Sequence, residues 1–140
     1  MPSADLKANR PLSPHIFIYR WPVTMVMSIL HRITGSALYA GTALLAWWLI
    51  AAATSENAFA IASGVLGSWL GLLVLFGYSW AILLHALGGI RHLVWDFGVG
   101  LGKEARNALA WGTLIGSAVL TVLLWAVGLA VKMGLDRAMR

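Results

Sequence analysis

The sequence predicts an all-α membrane protein with three transmembrane helices and a polar N-terminal cytoplasmic segment. Of its 140 residues, 60% are hydrophobic and only 11% are charged, and the mean hydropathy is +0.81. A water-soluble domain usually contains about a quarter charged residues. Three apolar stretches reach the roughly 20 residues that a helix needs to cross the hydrocarbon core. Tryptophans lie near the ends of these stretches, as in the aromatic belts of membrane proteins.

The apolar stretches define a transmembrane domain over residues 24–131. The chain enters the first helix through Trp21-Pro22, and proline is well tolerated at a helix start. The polar, proline-containing segment 1–23 lacks the layout of a secretory signal and is expected to contact soluble subunits. Residues 132–140 are expected to form a C-terminal tail. The predicted helices cover residues 24–53, 66–95 and 109–131.

The basic residues predict how the helices are oriented. The first loop, TSENAFAIASG, contains no Lys or Arg, whereas the N-terminal segment and the second loop both contain them. The positive-inside rule therefore places the N-terminus and the second loop in the cytoplasm and the first loop outside. The C-terminal tail is then expected outside, against the rule, although it contains Lys132, Arg137 and Arg140. Because the basic residues flank apolar runs, they favour contact with membrane lipid and not with nucleic acid.

Histidine and arginine side chains inside the first two spans are the strongest functional signal. An arginine at bilayer depth costs a few kcal/mol, so it needs a role. At a rise of 1.5 Å per residue, His31, Arg32 and His85 all lie about 14–15 Å from the cytoplasmic ends of their helices. No carboxylate of the spans lies at this level, so Arg32 is expected to find its counter-charge in a partner chain or a ligand. The common depth predicts one shared site.

Helical spacing assigns these residues to faces. Ser28 and Arg32 are four residues apart and therefore share a face. A second stripe runs from His85 to His92 and includes two glycines, which allow another helix or a flat macrocycle to approach the backbone. Each feature also has a structural interpretation, because an intramembrane histidine can be a packing residue and paired glycines a helix-packing notch.

Three further ionisable residues favour simpler roles. Arg91 and His92 lie close to the interface, where long polar side chains can anchor a helix by reaching the headgroups. His15 lies in the polar N-terminal segment and is expected to be solvated or to face a partner.

The deep side chains suit haem and quinone chemistry. Imidazole binds haem iron, and His and Arg pair with propionates. A Ser/Arg pair can hydrogen-bond a quinone carbonyl and stabilise the charge that develops on reduction. Only one histidine is positioned as an axial ligand, so a six-coordinate haem needs its second ligand from another chain.

The sequence lacks the motifs of a self-sufficient enzyme. It contains no cysteine, so any iron–sulfur cluster must be held by a partner. It also contains no P-loop, nucleophile triad, paired catalytic carboxylates or metalloprotease motif. The chain is therefore expected to act as a subunit of a larger complex.

Two sequence signatures extend these observations. The first comprises Arg10-Pro11-Leu12 with SPHIFIY, followed by Ser28-x-x-His31-Arg32-x-Thr34-Gly35. The second is His85-x-x-x-Gly89-Ile90-Arg91-His92-Leu93-x-Trp95-Asp96. With both motifs the chain strongly resembles the cytochrome b membrane-anchor subunits of succinate dehydrogenase, respiratory complex II. The resemblance covers the N-terminal segment and the first two helices, whereas the third matches only as a hydrophobic span.

The resemblance implies a subunit that binds one haem b together with a second membrane-anchor subunit. The pair would dock an iron–sulfur subunit and a flavoprotein subunit on the cytoplasmic face, so that electrons pass from succinate to ubiquinone in the tricarboxylic acid cycle and respiratory chain. By position, His85 matches the axial ligand of the haem iron. His31 and Arg32 match residues near the haem propionates, and Ser28 and Arg32 match the quinone-site pair.

Asp96, at the cytoplasmic end of the second span, has two interpretations. It is a candidate proton relay, because reduction of a quinone to a quinol takes up two protons. Alternatively, it is an interface charge paired with Arg91 or Lys103. The SPHIFIY variant is similar to that of alphaproteobacterial and mitochondrial members, which implies a bacterial inner membrane or, alternatively, the mitochondrial inner membrane.

The same residues favour this function over three others. In a haem-free structural anchor of the same complex, His85 would be only a packing residue. A di-haem cytochrome that reduces fumarate needs more axial histidines and more helices than this chain supplies. A proton-coupled transporter normally has an intramembrane carboxylate, and none lies within the predicted spans.

Overall fold

The structure, a computed structural model, describes residues 19–139 of the chain. Four helices lie within these residues. Helices α1, α3 and α4 are long and apolar enough to cross a membrane. The predicted fold class, an all-α protein with three potential membrane spans, is therefore confirmed. The helices are α1 (Val23–Thr54), α2 (Glu56–Gly67), α3 (Trp69–Asp96) and α4 (Lys103–Ala138).

Local sequence explains where the first three helices begin. Pro22 precedes α1, and its carbonyl oxygen accepts a hydrogen bond from the backbone N–H of Met25 at 3.0 Å. Ser55 and Ser68 are extended and separate α1, α2 and α3. Each serine hydroxyl accepts a hydrogen bond from the backbone N–H three residues later, at 3.2 Å and 3.1 Å respectively. These bonds satisfy donors that have no partner within the helix.

Helix α2 lies where the sequence analysis predicted only a loop. Its 12 residues span about 18 Å, too little to cross the hydrocarbon core. It packs against α1 and α3, with Ala62 fully buried. The rings of Phe59 in α2 and Trp48 in α1 lie 5.7 Å apart. An apolar run this short falls below the length that identifies a span, which is why it was missed.

The turn between α3 and α4 relies on glycine. Gly98 and Gly100 have φ angles of 73° and 75°, a left-handed conformation that glycine adopts without strain. After this turn, α4 begins six residues before the predicted span and continues seven residues beyond it, from Lys103 to Ala138. Glu104 in the first turn and Arg137 in the last turn suit the helix dipole, which favours these polar extensions.

Helix α3 packs against both α1 and α4. Met27, Leu84 and Ala110, one from each long helix, form the buried core cluster. On the α4 side, the indole Nε1 of Trp80 donates a hydrogen bond to Ser117 Oγ at 3.2 Å. Many large apolar side chains on the outer faces are exposed, as expected of surfaces that contact lipid or other membrane subunits. The α1–α3 contact positions the residues described next.

Candidate functional site

His31 of α1 and His85 of α3 lie face to face between the two helices. Their ring centroids are 4.0 Å apart and the ring planes differ by 4°. Both side chains are partly buried. The structure therefore brings together two residues that are far apart in sequence and that helix register had placed at a common depth.

Two glycines allow this close approach. A Cβ atom at position 88 would lie 2.5 Å from His31 Nδ1, and one at position 35 would lie 3.1 Å from His85 Cε1. Each histidine thus packs over a glycine of the opposite helix. Of the two glycines predicted to line a groove, Gly88 contacts His31, whereas a Cβ at Gly89 would meet open space.

The Nδ1 atom of His85 is held by α1. It lies 3.1 Å from the main-chain carbonyl oxygen of His31 and 3.3 Å from Thr34 Oγ1. The Thr34 hydroxyl itself donates to the carbonyl oxygens of Leu30 and His31, at 2.8 Å and 3.0 Å. Both groups near the imidazole are therefore acceptors, so this geometry assigns the proton to Nδ1 and leaves a lone pair on Nε2.

This orientation fits a histidine that ligates haem iron. Metal-ligating histidines almost always donate their second ring N–H to a carbonyl, a carboxylate or water, which fixes the ring and its tautomer. Within residues 19–139, no group of three or more His, Cys, Asp or Glu side chains is arranged to hold a metal ion. A haem iron, whose porphyrin supplies most of its ligands, fits a single unprotonated imidazole nitrogen such as Nε2 of His85.

His92 extends the cluster toward the end of α3. Its ring centroid lies 5.3 Å from that of His31 and 5.1 Å from that of Trp95. His92 is exposed, and its expected role as an interfacial anchor stays a prediction. The seven-residue spacing from His85, which places both residues on one stripe of α3, was the sequence signal for these ring contacts.

The predicted quinone-site residues lie on the surface of α1. Ser28 and Arg32 are exposed and one helical turn apart, so the chain itself does not enclose them. A ligand held by this pair needs further walls from a partner. Asp96, the last residue of α3, is also exposed.

Arg91, one of the two residues expected to anchor α3 at the interface, is buried within the described residues. The side chain is only 3% exposed because the α3 face that carries it packs against α4, near Leu109 and Thr113. Its guanidinium carbon lies 5.0 Å from the centroid of the Trp95 ring. The Nε and Nη1 atoms have no hydrogen-bond partner among the described residues, so neither atom pairs with Asp96.

Sequence reasoning missed Thr34 as a partner of His85. The signal was present in the first motif, where Thr34 follows His31 by three residues and thus shares its face. The first part of that motif, with Arg10, and the polar residue His15 lie outside the described residues, as does most of the segment expected to contact soluble subunits.

Comparisons with known proteins agree with the sequence motifs. Residues 7–124 match the family described as the succinate dehydrogenase/fumarate reductase transmembrane subunit. The chain is 50% identical over 117 residues to the succinate dehydrogenase cytochrome b556 subunit of Paracoccus denitrificans, covering 84% of this chain and 90% of that protein. It is 42% identical over 121 residues to the cytochrome b556 subunit of Rickettsia prowazekii, with 86% and 94% coverage. Identity to the mitochondrial cytochrome b560 subunit of Bos taurus is 41% over 130 residues, with 91% and 74% coverage.

Proposed function

Because this chain belongs to the succinate dehydrogenase/fumarate reductase transmembrane subunit family, we propose that it is the cytochrome b anchor of a succinate:ubiquinone oxidoreductase. In this role it binds haem b together with a second membrane-anchor subunit and contributes to the ubiquinone-reduction site. Its other partners are the iron–sulfur and flavoprotein subunits. The observation that carries the proposal is the hydrogen bond from His85 Nδ1 to the His31 carbonyl, which leaves Nε2 available as a ligand.

Several residues of the chain would contact the haem in different ways. His85 would hold the haem iron through Nε2, and the other anchor subunit would supply a second ligand. His31 and Arg32 provide hydrogen-bond donors for the propionates. Bound haem b accepts and releases single electrons. The main-chain contact of His85 keeps its ring in one orientation.

The quinone site uses Ser28 and Arg32. The hydroxyl group of Ser28 donates a hydrogen bond to a quinone carbonyl oxygen. The guanidinium of Arg32, one turn further along α1, stabilises the negative charge that builds on the oxygen during reduction. Asp96, at the exposed end of α3, is the candidate residue for passing protons to the reduced oxygens, with an interface charge as the alternative role.

The proposed orientation places the N-terminus and the α3–α4 turn in the cytoplasm. The N-terminal segment and the turn region then face the two soluble subunits, and Arg32 and Asp96 lie toward that side. Relatives occur in bacteria and in mitochondria. The proposed location is a bacterial inner membrane, with the mitochondrial inner membrane as the alternative.

The haem assignment is tested by the dithionite-reduced minus oxidised absorbance spectrum of the purified complex. We expect a b-type signal in the wild type and its loss or strong shift in His85→Ala, with His92→Ala as the matched control that retains it. An unaltered signal in His85→Ala would refute the ligand assignment. A wild-type complex without haem would favour the structural anchor, in which His85 serves only to hydrogen-bond α1.

The quinone assignment is tested with Ser28→Ala, using Ser36→Ala on the same helix as the control. Ser36 is also exposed, and its hydroxyl donates to the Arg32 carbonyl at 3.2 Å. We expect Ser28→Ala to lower succinate:ubiquinone activity at least about tenfold, because removal of one donor to a developing oxyanion costs that much or more. Reduction of an artificial acceptor by the soluble subunits should not change. Equal quinone activities of the two variants would contradict the assignment.

A further inference from the structure

Arg91 and Trp95 form a group of buried hydrogen-bond donors that haem and quinone binding leave unused. Arg91 is 3% exposed, and its Nε and Nη1 atoms have no partner among the described residues. The Nε1 atom of Trp95, whose ring contacts the guanidinium at 5.0 Å, is also buried and without a partner there. All of these atoms are donors, and a buried charge without a counter-charge is strongly unfavourable. The set therefore fits an anion.

A cavity beside Arg91 offers space for such a group. It lies between α3 and α4 and has a volume of about 230 Å3. Apart from Arg91 and Thr113, its walls are apolar or glycine, and they include Ile90, Val94 and Gly112. The hydroxyl group of Thr113 donates to the Leu109 carbonyl at 2.8 Å, and Arg91 is the only charged group among the described residues of the lining.

The position of Arg91 along α3 matches the level of lipid headgroups. Arg91 lies five residues before the end of α3, or about 7.5 Å along the axis. The 28 residues of α3 span about 42 Å, which exceeds the roughly 30 Å of hydrocarbon. The ends of α3 therefore extend into the headgroup regions. Lys103 and Arg106, in the first turn of α4, lie at the same end of the bundle, where Glu104 and Asp96 balance their charge.

Helix geometry indicates that lipid, and not the second anchor subunit, covers this cavity. At about 100° per residue, Ile90 and Val94 lie about 140° and 180° around α3 from His85. A subunit that shares a haem with His85 lies on the opposite side of α3 from these cavity walls. This step rests on the proposed function. A phospholipid also matches the lining, because it combines a phosphate with an acyl chain.

We propose that Arg91 binds the phosphate group of an anionic phospholipid whose acyl chain lies along the apolar cavity between α3 and α4. The guanidinium supplies the charge-assisted hydrogen bonds. Lipid binding at this site would seal the α3–α4 interface at the level of the turn between the two helices.

The test is native mass spectrometry of the whole complex, released from nanodiscs that contain equal amounts of phosphatidylglycerol and phosphatidylcholine. We expect Arg91→Gln to retain about one phosphatidylglycerol fewer per complex than the wild type, with phosphatidylcholine unchanged. Arg106→Gln is the matched control, since it removes the same charge from an exposed position and should retain the wild-type number. Unchanged phosphatidylglycerol in Arg91→Gln, or equal loss of both lipids, would overturn the proposal.

A second variant tests the lipid proposal if the complex with Arg91→Gln does not assemble. Gly112 lines the cavity, and a Cβ there meets no atom within 4 Å, so Gly112→Leu should block the cavity while Arg91 stays in place. Gly134→Leu, also unobstructed, is its control on the same helix. We expect loss of the lipid in Gly112→Leu alone, and its retention there would show that Arg91 pairs with a partner carboxylate instead. The haem spectrum of the same samples tests the proposed function separately.

Discussion

His85 is oriented by hydrogen bonds that its Nδ1 donates to acceptors of its own chain. Its Nδ1 atom contacts the His31 carbonyl at 3.1 Å and Thr34 Oγ1 at 3.3 Å. The carbonyl contact is shorter and belongs to the backbone, whereas the threonine contact can be removed by substitution. An acceptor group that takes a hydrogen bond from Nδ1–H makes the imidazole a more basic ligand. These contacts should therefore influence the electronic properties of a bound iron.

We predict that Thr34→Val raises the midpoint potential of the haem by about 40 mV. Valine has nearly the same shape but offers no acceptor to His85, so the ligand becomes less basic and the reduced iron is relatively favoured. A difference of about 1 kcal/mol in the strength of this hydrogen bond between the oxidised and the reduced iron corresponds to that shift in a one-electron couple. Redox titration of the absorbance signal measures it.

Thr42→Val is the control for this substitution. Thr42 lies on the same helix, and its hydroxyl donates to the Leu38 carbonyl at 2.9 Å and makes no hydrogen bond with His85. The control should keep the wild-type potential. If both variants titrate together, Thr34 does not act on His85.

At the level of helices, α3 and α4 are joined by small residues and indole hydrogen bonds. Trp80 Nε1 donates to Ser117 Oγ, and Trp125 Nε1 donates to Ser79 Oγ, each at 3.2 Å. The buried side of α4 carries small side chains at helical spacing, which let the helices approach closely. These residues are Ala110, Thr113, Ser117 and Thr121.

We predict a coupling of about 0.6 kcal/mol between Trp80 and Ser117, the average for interhelical hydrogen bonds in a membrane. The double-mutant cycle combines Trp80→Phe with Ser117→Ala, and the free energy of unfolding is measured in mixed detergent micelles. Trp111, which is 52% exposed, provides the control cycle with Ser117→Ala. A coupling no larger than in the control cycle would show that the bond contributes no stability.

The long helices were predictable, whereas their mutual rotation was not. Hydropathy and length identified three spans, and register placed His31 and His85 at one depth. The burial of Arg91 depends on which face of α3 meets α4, and a single sequence does not fix that angle. The same holds for the contact between Thr34 and His85. Helix α2 was missed because its apolar run is too short to be distinguished from a loop by length.

For the whole molecule, the orientation in the membrane can be measured by labelling single cysteine residues. The absence of cysteine makes single-cysteine labelling direct, since the parent chain gives no background. Asn57 in α2 and Gly102 before α4 are both exposed and lie at opposite ends of α3. These two positions therefore report on the two sides of the membrane.

We predict that a membrane-impermeant maleimide labels Asn57→Cys in intact cells and labels Gly102→Cys only after permeabilisation. The reason is the excess of Lys and Arg in the N-terminal segment and the second loop. Asp136→Cys, near the end of α4, should behave like Asn57→Cys despite its basic surroundings. The reverse labelling pattern would contradict the proposed orientation and place Asp96 on the outer side.

The main-chain contact of His85 also affects which amino-acid substitutions this site tolerates during evolution. The carbonyl at position 31 is present whatever side chain the codon specifies, so substitutions at this position leave the acceptor intact. The side chain at position 31 is then free to diversify without loss of His85 orientation, provided that the residue still fits over Gly88. Substitutions at position 31 should therefore keep the orientation of His85 while they change the hydrogen bonds that the side chain offers to the haem propionates.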